Sequence, residues 1–277
     1  MGFQINNNVA AFNAYRNLSV TQNSVSSSLE KLSSGLRINR AADDAAGLAI
    51  SEGLRSQVGG LKVAARNAQD GISMVQTAEG ALGTTHSMLQ RLRDLSVQAA
   101  NDTNSDKART NIDTEAKQLV AELDRIGKST SFNGTNLLDG TATSVNFQVG
   151  ANSDATVNAI VVDLSSASVT GVATALGGLD FSDAAGAQAA IGTIDTQIET
   201  ISTARANLGA VQNRFESTIK NLNVSIENLT ASESRIRDTD MASEMVSFTK
   251  SQILSQAGTA MLAQANQMGQ GVLSLLR

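Results

Sequence analysis

Apolar residues recur along most of the chain at steps of three and four. The longest run takes Leu54, Val58, Leu61, Ala65, Ala68, Ile72 and Val75, then Leu82, His86, Leu89 and Leu92, to about Ala100. That spacing puts side chains on one stripe of a helix. At 1.5 Å per residue such a helix would extend for roughly 80 Å. A stripe sustained this far predicts a coiled-coil-like seam with partners along its length. Upstream, Leu18, Val25, Leu29, Leu32 and Leu36 predict a helix that stops near Gly35. The intervening SGLRINRAADDAAGLAI reads as a short joint, then a new helix whose first turn carries Asp43 and Asp44. Carboxylates are favoured there by the helix dipole. Ala108, Ile112, Ala116, Leu119, Leu123 and Ile126 predict a third helix, ending at Gly127. Ile191, Ile194, Ile198, Ile201, Leu208, Phe215, Leu222, Ile226 and Leu229 predict another long one. Arg205 interrupts that seam, its stem packed and its head toward solvent.

The period changes in the middle. Val145, Phe147 and Val149 alternate with polar residues, and Val157 to Leu164 follows GANSDAT. This predicts a β-hairpin near 144–164. SFNGTNLLDGT, just before it, is turn chemistry, because Asn-Gly and Asp-Gly accept positive φ. Residues 165–187 are rich in Ser, Ala, Gly and Thr and read as a weakly patterned, variable connector.

The C-terminal stretch Ser251 to Leu276 has no Asp, Glu, Lys or Arg. Leu254, Ala257, Met261, Ala265, Met268, Val272 and Leu275 form its apolar stripe, and Gln, Asn, Ser and Gly fill the rest. Residues 1–15 are also uncharged. Two uncharged amphipathic ends therefore flank two charged coiled-coil segments around a small β-containing middle. Antiparallel folding would bring the ends together, giving a mainly α, elongated antiparallel coiled-coil or helical-bundle rod with a small β-hairpin. Val25, Leu29 and Leu32 would then face the C-terminal stripe.

Composition agrees with thin helical bundles. The 277 residues include no Pro and no Trp, and aromatics are only 3%. Long helices need no helix breaker, and narrow seams are filled by Ala, Leu, Ile and Val. There is no Cys, hence no disulfide frame, thiol nucleophile or thiolate metal site. The formal net charge is −5 without a basic run, which disfavours nucleic acid as a partner. The Gln and Asn residues within 251–276 make membrane insertion costly. No cleavable secretory signal is expected at MGFQINNNVAAFNAYRN.

Catalytic constellations are missing from the pattern: no Ser–His–acid context, phosphate loop or His pair. His86, the single histidine, reads as a partly buried or rim residue. Asp102, Asn104, Asp106 and Asp113 imitate calcium-loop positions. However, Lys107 stands where Gly is required and Asp113 replaces the bidentate Glu. A capped helix–helix turn is expected instead. No enzyme activity, cofactor or metal is expected. The triplet Asn133-Gly134-Thr135 is a glycosylation sequon of a kind that arises often by chance.

The motifs INNNVAAFNAYRNL, LEKLSSGLRINRAADDAAGLAISEGLRSQV and NAQDGISMVQTAEGAL, with LGAVQNRFESTIKNL, SRIRDTDMASEM and AGTAMLAQANQMGQGVLSLLR, resemble bacterial flagellin. The resemblance covers roughly 1–140 and 190–277. It implies a filament subunit for motility, with an inner terminal coiled coil of 1–42 and 241–277. An outer helical rod of 43–240 would follow, without the large outer domains of longer members. It also implies type III export to an extracellular filament, and terminal helices that order on assembly. The implied partners are further copies of the chain, an export chaperone on the C-terminal helix, and filament cap and hook-junction proteins. Gln90, Arg91, Leu95 and Gln98, with Glu115, look like the family segment bound by the vertebrate Toll-like receptor for flagellin. Asp94 stands where Glu is common, and Gly269 where many members carry Pro. The alternatives are a hook–filament junction protein, or a chiefly receptor-binding or adhesive role.

Overall fold

A computed structural model describes residues 8–275, with side chains described as far as Gln267. Seven helices and four short strands occur among them. They are α1 (Val9–Ser34), α2 (Ala45–Ala99), α3 (Asp106–Ser129), β1 (Ser131–Phe132), β2 (Thr135–Asn136), β3 (Ser144–Gln148), α4 (Ala155–Asn158), β4 (Ala159–Asp163), α5 (Val169–Leu176), α6 (Ala184–Arg237) and α7 (Met241–Leu275). Contacts divide the chain into two compact units, Met1–Ser56 with Glu227–Arg277, and Gln57–Ile226.

The helix ends obey local chemistry. The Asn8 side chain caps α1 by accepting from the Ala11 N–H at 3.0 Å. Gly35 closes it in the left-handed region, at φ 73°, donating to the Lys31 carbonyl at 2.8 Å. The stop near Gly35 is therefore where the sequence puts it. Asp43 and Asp44 sit differently from expectation: both precede α2. Asp44 accepts the Gly47 N–H at 2.8 Å as a cap, and Asp43 closes the turn before it. Gly127 does not end α3, which runs on to Ser129. Thr170 lies against Gly127, and its hydroxyl oxygen would come within 2.6 Å of a Cβ there. Glycine at 127 thus serves close packing of α5 on α3 rather than helix termination.

The Gln57–Ile226 unit holds the large apolar core. On α2, Val58, Ala68, Ile72, Val75, Leu82, Leu89 and Leu92 are buried, as their periodicity requires. On α6, Ile194, Ile201, Ala204, Leu208, Phe215 and Leu222 are buried. Leu123 of α3 joins the same cluster. α2 and α6 run antiparallel, as shown by the pairs Arg93–Asp195 at 2.6 Å and Arg205–Glu79 at 2.7 Å. The Arg205 head therefore reaches a carboxylate of α2, while its neighbour Ala204 fills the seam.

The predicted hairpin is present. β3 and β4 pair antiparallel from Ser144↔Asp163 to Gln148↔Ala159. Alternation aims Ile160 and Val162 into the core. Phe147 meets Phe215 edge-on, with centroids 5.5 Å apart and planes at 88°. Phe215 in turn lies over Gly71, where a Cβ would stand 2.6 Å from its ring. The hairpin is thus keyed to both long helices through one aromatic pair.

Residues 165–187 overturn the connector reading. They carry a 3₁₀ turn at Ser165–Ala167 and helix α5, capped by Ser168. Val169, Val172, Ala173, Leu176 and Phe181 are all buried. The first four follow helical spacing over only two turns. Small residues around them hide that pattern from a longer window. α5 packs on α3, and the Val169 N–H donates to the Leu138 carbonyl at 2.9 Å.

Replacing Gly71 with Ala should gain helix propensity but force Phe215 from its site. The steric term should dominate, destabilising this unit by about 1–3 kcal/mol. Denaturant unfolding of the variant beside the parent chain checks this; equal midpoints would contradict the packing described.

Candidate assembly and recognition surfaces

Helices α1 and α7 pair antiparallel within the first unit. Asn8 Nδ2 donates to the Ala265 carbonyl at 2.8 Å, and Ser255 Oγ to Gln22 Oε1 at 3.2 Å. The seam residues are Ala11, Ala14, Leu18, Thr21, Val25, Ser28 and Leu32 on α1, facing Phe248, Ser251, Ser255, Gly258, Leu262 and Ala265 on α7. Both sets step by three and four, as a heptad seam does. Of these, Ser28 and Ala265 are buried and the others half-buried. A Cβ at Gly258 would stand 3.2 Å from Leu18 Cδ1, so the small residue sets the approach distance.

This seam differs from the one the apolar stripe predicted. Val25, Leu32 and Ala265 lie on it. Leu29 is 56% exposed, Leu254 49% and Met261 64%, and Ala257 is exposed too. The reason is angular. Leu254, Ala257 and Met261 each precede a seam residue by one position, and one position turns the helix by about 100°. Leu29 follows Ser28 in the same way. The mutual face mixes Leu18, Val25, Leu32, Phe248 and Leu262 with small residues, while Leu29, Leu254 and Met261 point outward. Met268, Val272 and Leu275 lie outside the residues whose side chains are described.

Other outward apolar side chains continue these faces. Val9, Phe12, Tyr15 and Val20 are exposed on α1. On α7, Met245, Val246, Thr249, Lys250, Ile253 and Leu254 line an open, apolar groove. No described helix is long and apolar enough to cross a membrane.

A clasp that sequence reading missed ties the two breaks in the helices together. Leu36 bridges Asp238 antiparallel. The Arg37 N–H donates to the Arg237 carbonyl at 2.7 Å, and the Thr239 N–H to the Gly35 carbonyl at 3.0 Å. The Arg37 guanidinium donates to the Ile236 carbonyl at 2.7 Å, and Arg237 pairs with Glu52 at 2.6 Å. The signal was the arginine-rich character of both joints. Within the first joint Asp43 accepts the N–H groups of Arg40 and Asn39 at 2.9 and 3.0 Å. These backbone donors, Arg40 first, hold its carboxyl below the usual range.

The residues of the receptor-like segment divide. Arg91 on α2 donates to Glu115 on α3 at 2.9 and 2.6 Å, and both side chains are about half exposed. Gln90 and Gln98 are exposed on α2. The Gln90 amide meets His86 Nε2 at 2.9 Å, which places His86 at the rim of the core. Leu95 is only 2% exposed and belongs to the core cluster. The structure therefore separates it from the surface set, because its heptad position points inward beside Leu92. The acidic segment after α2 forms a capped turn. Ser105 caps α3 at 3.3 Å, and Asp102 pairs with Arg109 at 3.3 Å.

Sequence comparison adds to this geometry. Residues 5–143 match the bacterial flagellin N-terminal helical region, and 191–276 the bacterial flagellin C-terminal helical region. A flagellin of Halalkalibacterium halodurans is 54% identical over 273 residues, covering 99% of each chain. The flagellar filament 33 kDa core protein of Treponema phagedenis is 51% identical over 286 residues, again covering 99% of each. A flagellin of Bacillus subtilis is 50% identical over 304 residues, covering 99% of this chain and 100% of the relative.

Acid should loosen the joint that Asp43 closes. A carboxyl held low when folded stabilises fully above its unfolded pKa, near 4. That stabilisation is lost as pH falls through the lower, folded value. Replacing Asp43 with Ala should therefore lower the thermal midpoint at neutral pH, with the gap from the parent closing below about pH 4. Circular dichroism melts across pH test this; a gap that widens in acid would refute the assignment.

Proposed function

The chain belongs to the bacterial flagellin family and is a structural subunit of the flagellar filament, and on that premise we propose that the outward faces of α1 and α7 are the surfaces through which copies polymerise. One observation carries this reading. The terminal pair mixes Thr21, Ser28, Ser251, Ser255 and Gly258 with Leu18, Val25, Leu32, Phe248 and Leu262 on its mutual face, yet leaves Phe12, Leu29, Ile253, Leu254 and Met261 outside. Apolar area of that extent on a narrow helix pair is characteristic of an interaction site. Neighbouring copies supply matching faces of the same kind. The lack of charge from Ser251 to Leu276 suits a contact repeated many times, where like charges would repel.

The remaining partners follow from the same faces. An export chaperone covers α7 before assembly, since its groove would otherwise associate early. Export proceeds through the type III apparatus to an extracellular filament, without a cleaved signal. Cap and hook-junction proteins meet the same terminal helices. The inner domain comprises 1–42 and 241–277, and the outer part 43–240, a division the paired joints near Leu36 and Asp238 support. A second reading, recognition by the vertebrate Toll-like receptor for flagellin, is favoured by the exposed Arg91–Glu115 pair flanked by Gln90 and Gln98. Leu95 would support that surface from beneath.

Two experiments separate these roles. Joint replacement of Leu254 and Met261 by Asp should leave the helical signal of the Gln57–Ile226 unit intact and abolish growth on filament seeds, as seen by electron microscopy. Normal filaments from that variant would refute the assembly surface. Replacing Arg91 with Ala should sharply reduce receptor activation by the monomer; undiminished activation would remove the recognition reading and leave the assembly reading standing.

A further inference from the structure

The sequence contains a single Asn-Gly pair, Asn133-Gly134. It forms the apex of the β1–β2 hairpin, whose register is Ser131↔Asn136 and Phe132↔Thr135. Asn133 has φ 48° and Gly134 φ 81°, the signs a two-residue type I′ turn requires. Both residues are exposed, and a Cβ built on Gly134 would meet nothing within 4 Å. Among the described residues, neither the Asn133 side-chain amide nor the Gly134 N–H has a hydrogen-bond partner. The ladder beneath the turn is only two residue pairs long. Opening it locally therefore costs little, as for other short exposed elements.

We propose that Asn133 is a site of spontaneous deamidation, which places a negative charge at this apex as the protein ages. Loss of the Gly134 amide proton to base makes its nitrogen a nucleophile. That nitrogen attacks Asn133 Cγ, the N–Cγ bond forms, the Cγ–Nδ2 bond breaks, and ammonia leaves after taking up a proton. Water then opens the five-membered imide at either carbonyl. One opening gives Asp, the other isoaspartate, whose Cβ becomes part of the main chain. The net change is addition of one water and loss of one ammonia, with no oxidant or reductant.

The structure also disfavours the same chemistry at the two Asp-Gly pairs. Asp139-Gly140 could form the same imide, but its carboxylate accepts from the Thr141 N–H at 2.9 Å, the Thr141 hydroxyl at 2.6 Å and Asn136 Nδ2 at 2.8 Å. Those donors hold it ionised, and a carboxylate is a poor electrophile. Asp70-Gly71 lies inside α2, where helical geometry fixes the backbone. Isoaspartate at 133 would lengthen a turn that has room for two residues. The strain would pass directly to Leu137 and Leu138, which are buried in the core.

The test ages the full-length purified chain at mildly alkaline and mildly acidic pH. Isoaspartate is read by enzymatic methyl labelling, and its position by electron-transfer fragmentation. The expected result is isoaspartate and Asp at position 133, accumulating faster in alkali, and loss of the label in Asn133→Gln, whose ring closure is slower. Fragmentation of the unsubstituted chain decides the position even if that variant folds poorly. Isoaspartate chiefly at Asp139, an unreacted Asn133 after alkaline ageing, or full labelling of Asn133→Gln would each overturn the proposal.

Discussion

A pair of helices has one mutual face, and in this chain the terminal pair leaves most of that face half-buried, with small residues set between its larger apolar ones. Ser28, Ser251, Ser255 and Gly258 allow close approach but bury little apolar surface. Ordering a residue costs about 1–2 kcal/mol, whereas complete burial of a large apolar side chain returns about 1.5–3 kcal/mol. A half-buried seam in which Leu18, Val25, Leu32, Phe248 and Leu262 are interspersed with small residues therefore offsets only part of the cost of ordering two long helices. Leu29, Ile253, Leu254 and Met261, which face away from the partner helix, add little to the pair itself.

The Gln57–Ile226 unit follows the opposite rule. Its long helices turn Leu82, Leu89, Leu92, Ile194, Ile201 and Leu208 toward one another, and α3, α5 and the β3–β4 hairpin close the remaining sides. Its core is aliphatic, and the Phe147–Phe215 pair makes one of its few aromatic contacts. Cross-helix ion pairs lie around it, yet Arg93–Asp195 and Arg205–Glu79 are partly exposed. Such pairs contribute little to stability and chiefly fix register. Packing sustains this unit within a single chain.

Legibility in the sequence follows the same division. On α2 and α6 the large residues are the buried ones, so the three–four periodicity located both helices and their seams. The β3–β4 hairpin was legible because Val145, Phe147 and Ile160 alternate. On α7 the pattern is ambiguous: Leu254, Ala257 and Met261 face outward, while the seam runs one position along, through Ser251, Ser255, Gly258, Leu262 and Ala265. Hydrophobic spacing cannot choose between two adjacent stripes that both carry apolar residues. α5 was hidden for another reason, since two turns of Val169 to Leu176 amid small residues fall below the length at which periodicity stands out. The Arg37–Arg237 clasp rests mainly on backbone groups, and the arginines at both joints do not by themselves say which stretches of chain pair.

The Arg91–Glu115 pair shows how the two kinds of surface can be told apart. Both partners are about half exposed, so screening by solvent leaves their attraction small. Leu92 and Leu95 beside Arg91 already secure α2 against the core. Folding of this region thus depends on the leucines and only weakly on the ion pair. A change in behaviour on removing the guanidinium would therefore report what approaches the surface from outside. Removing Leu95 would be less informative, because a cavity in the core would disturb the helix that presents Gln90, Arg91 and Gln98 together.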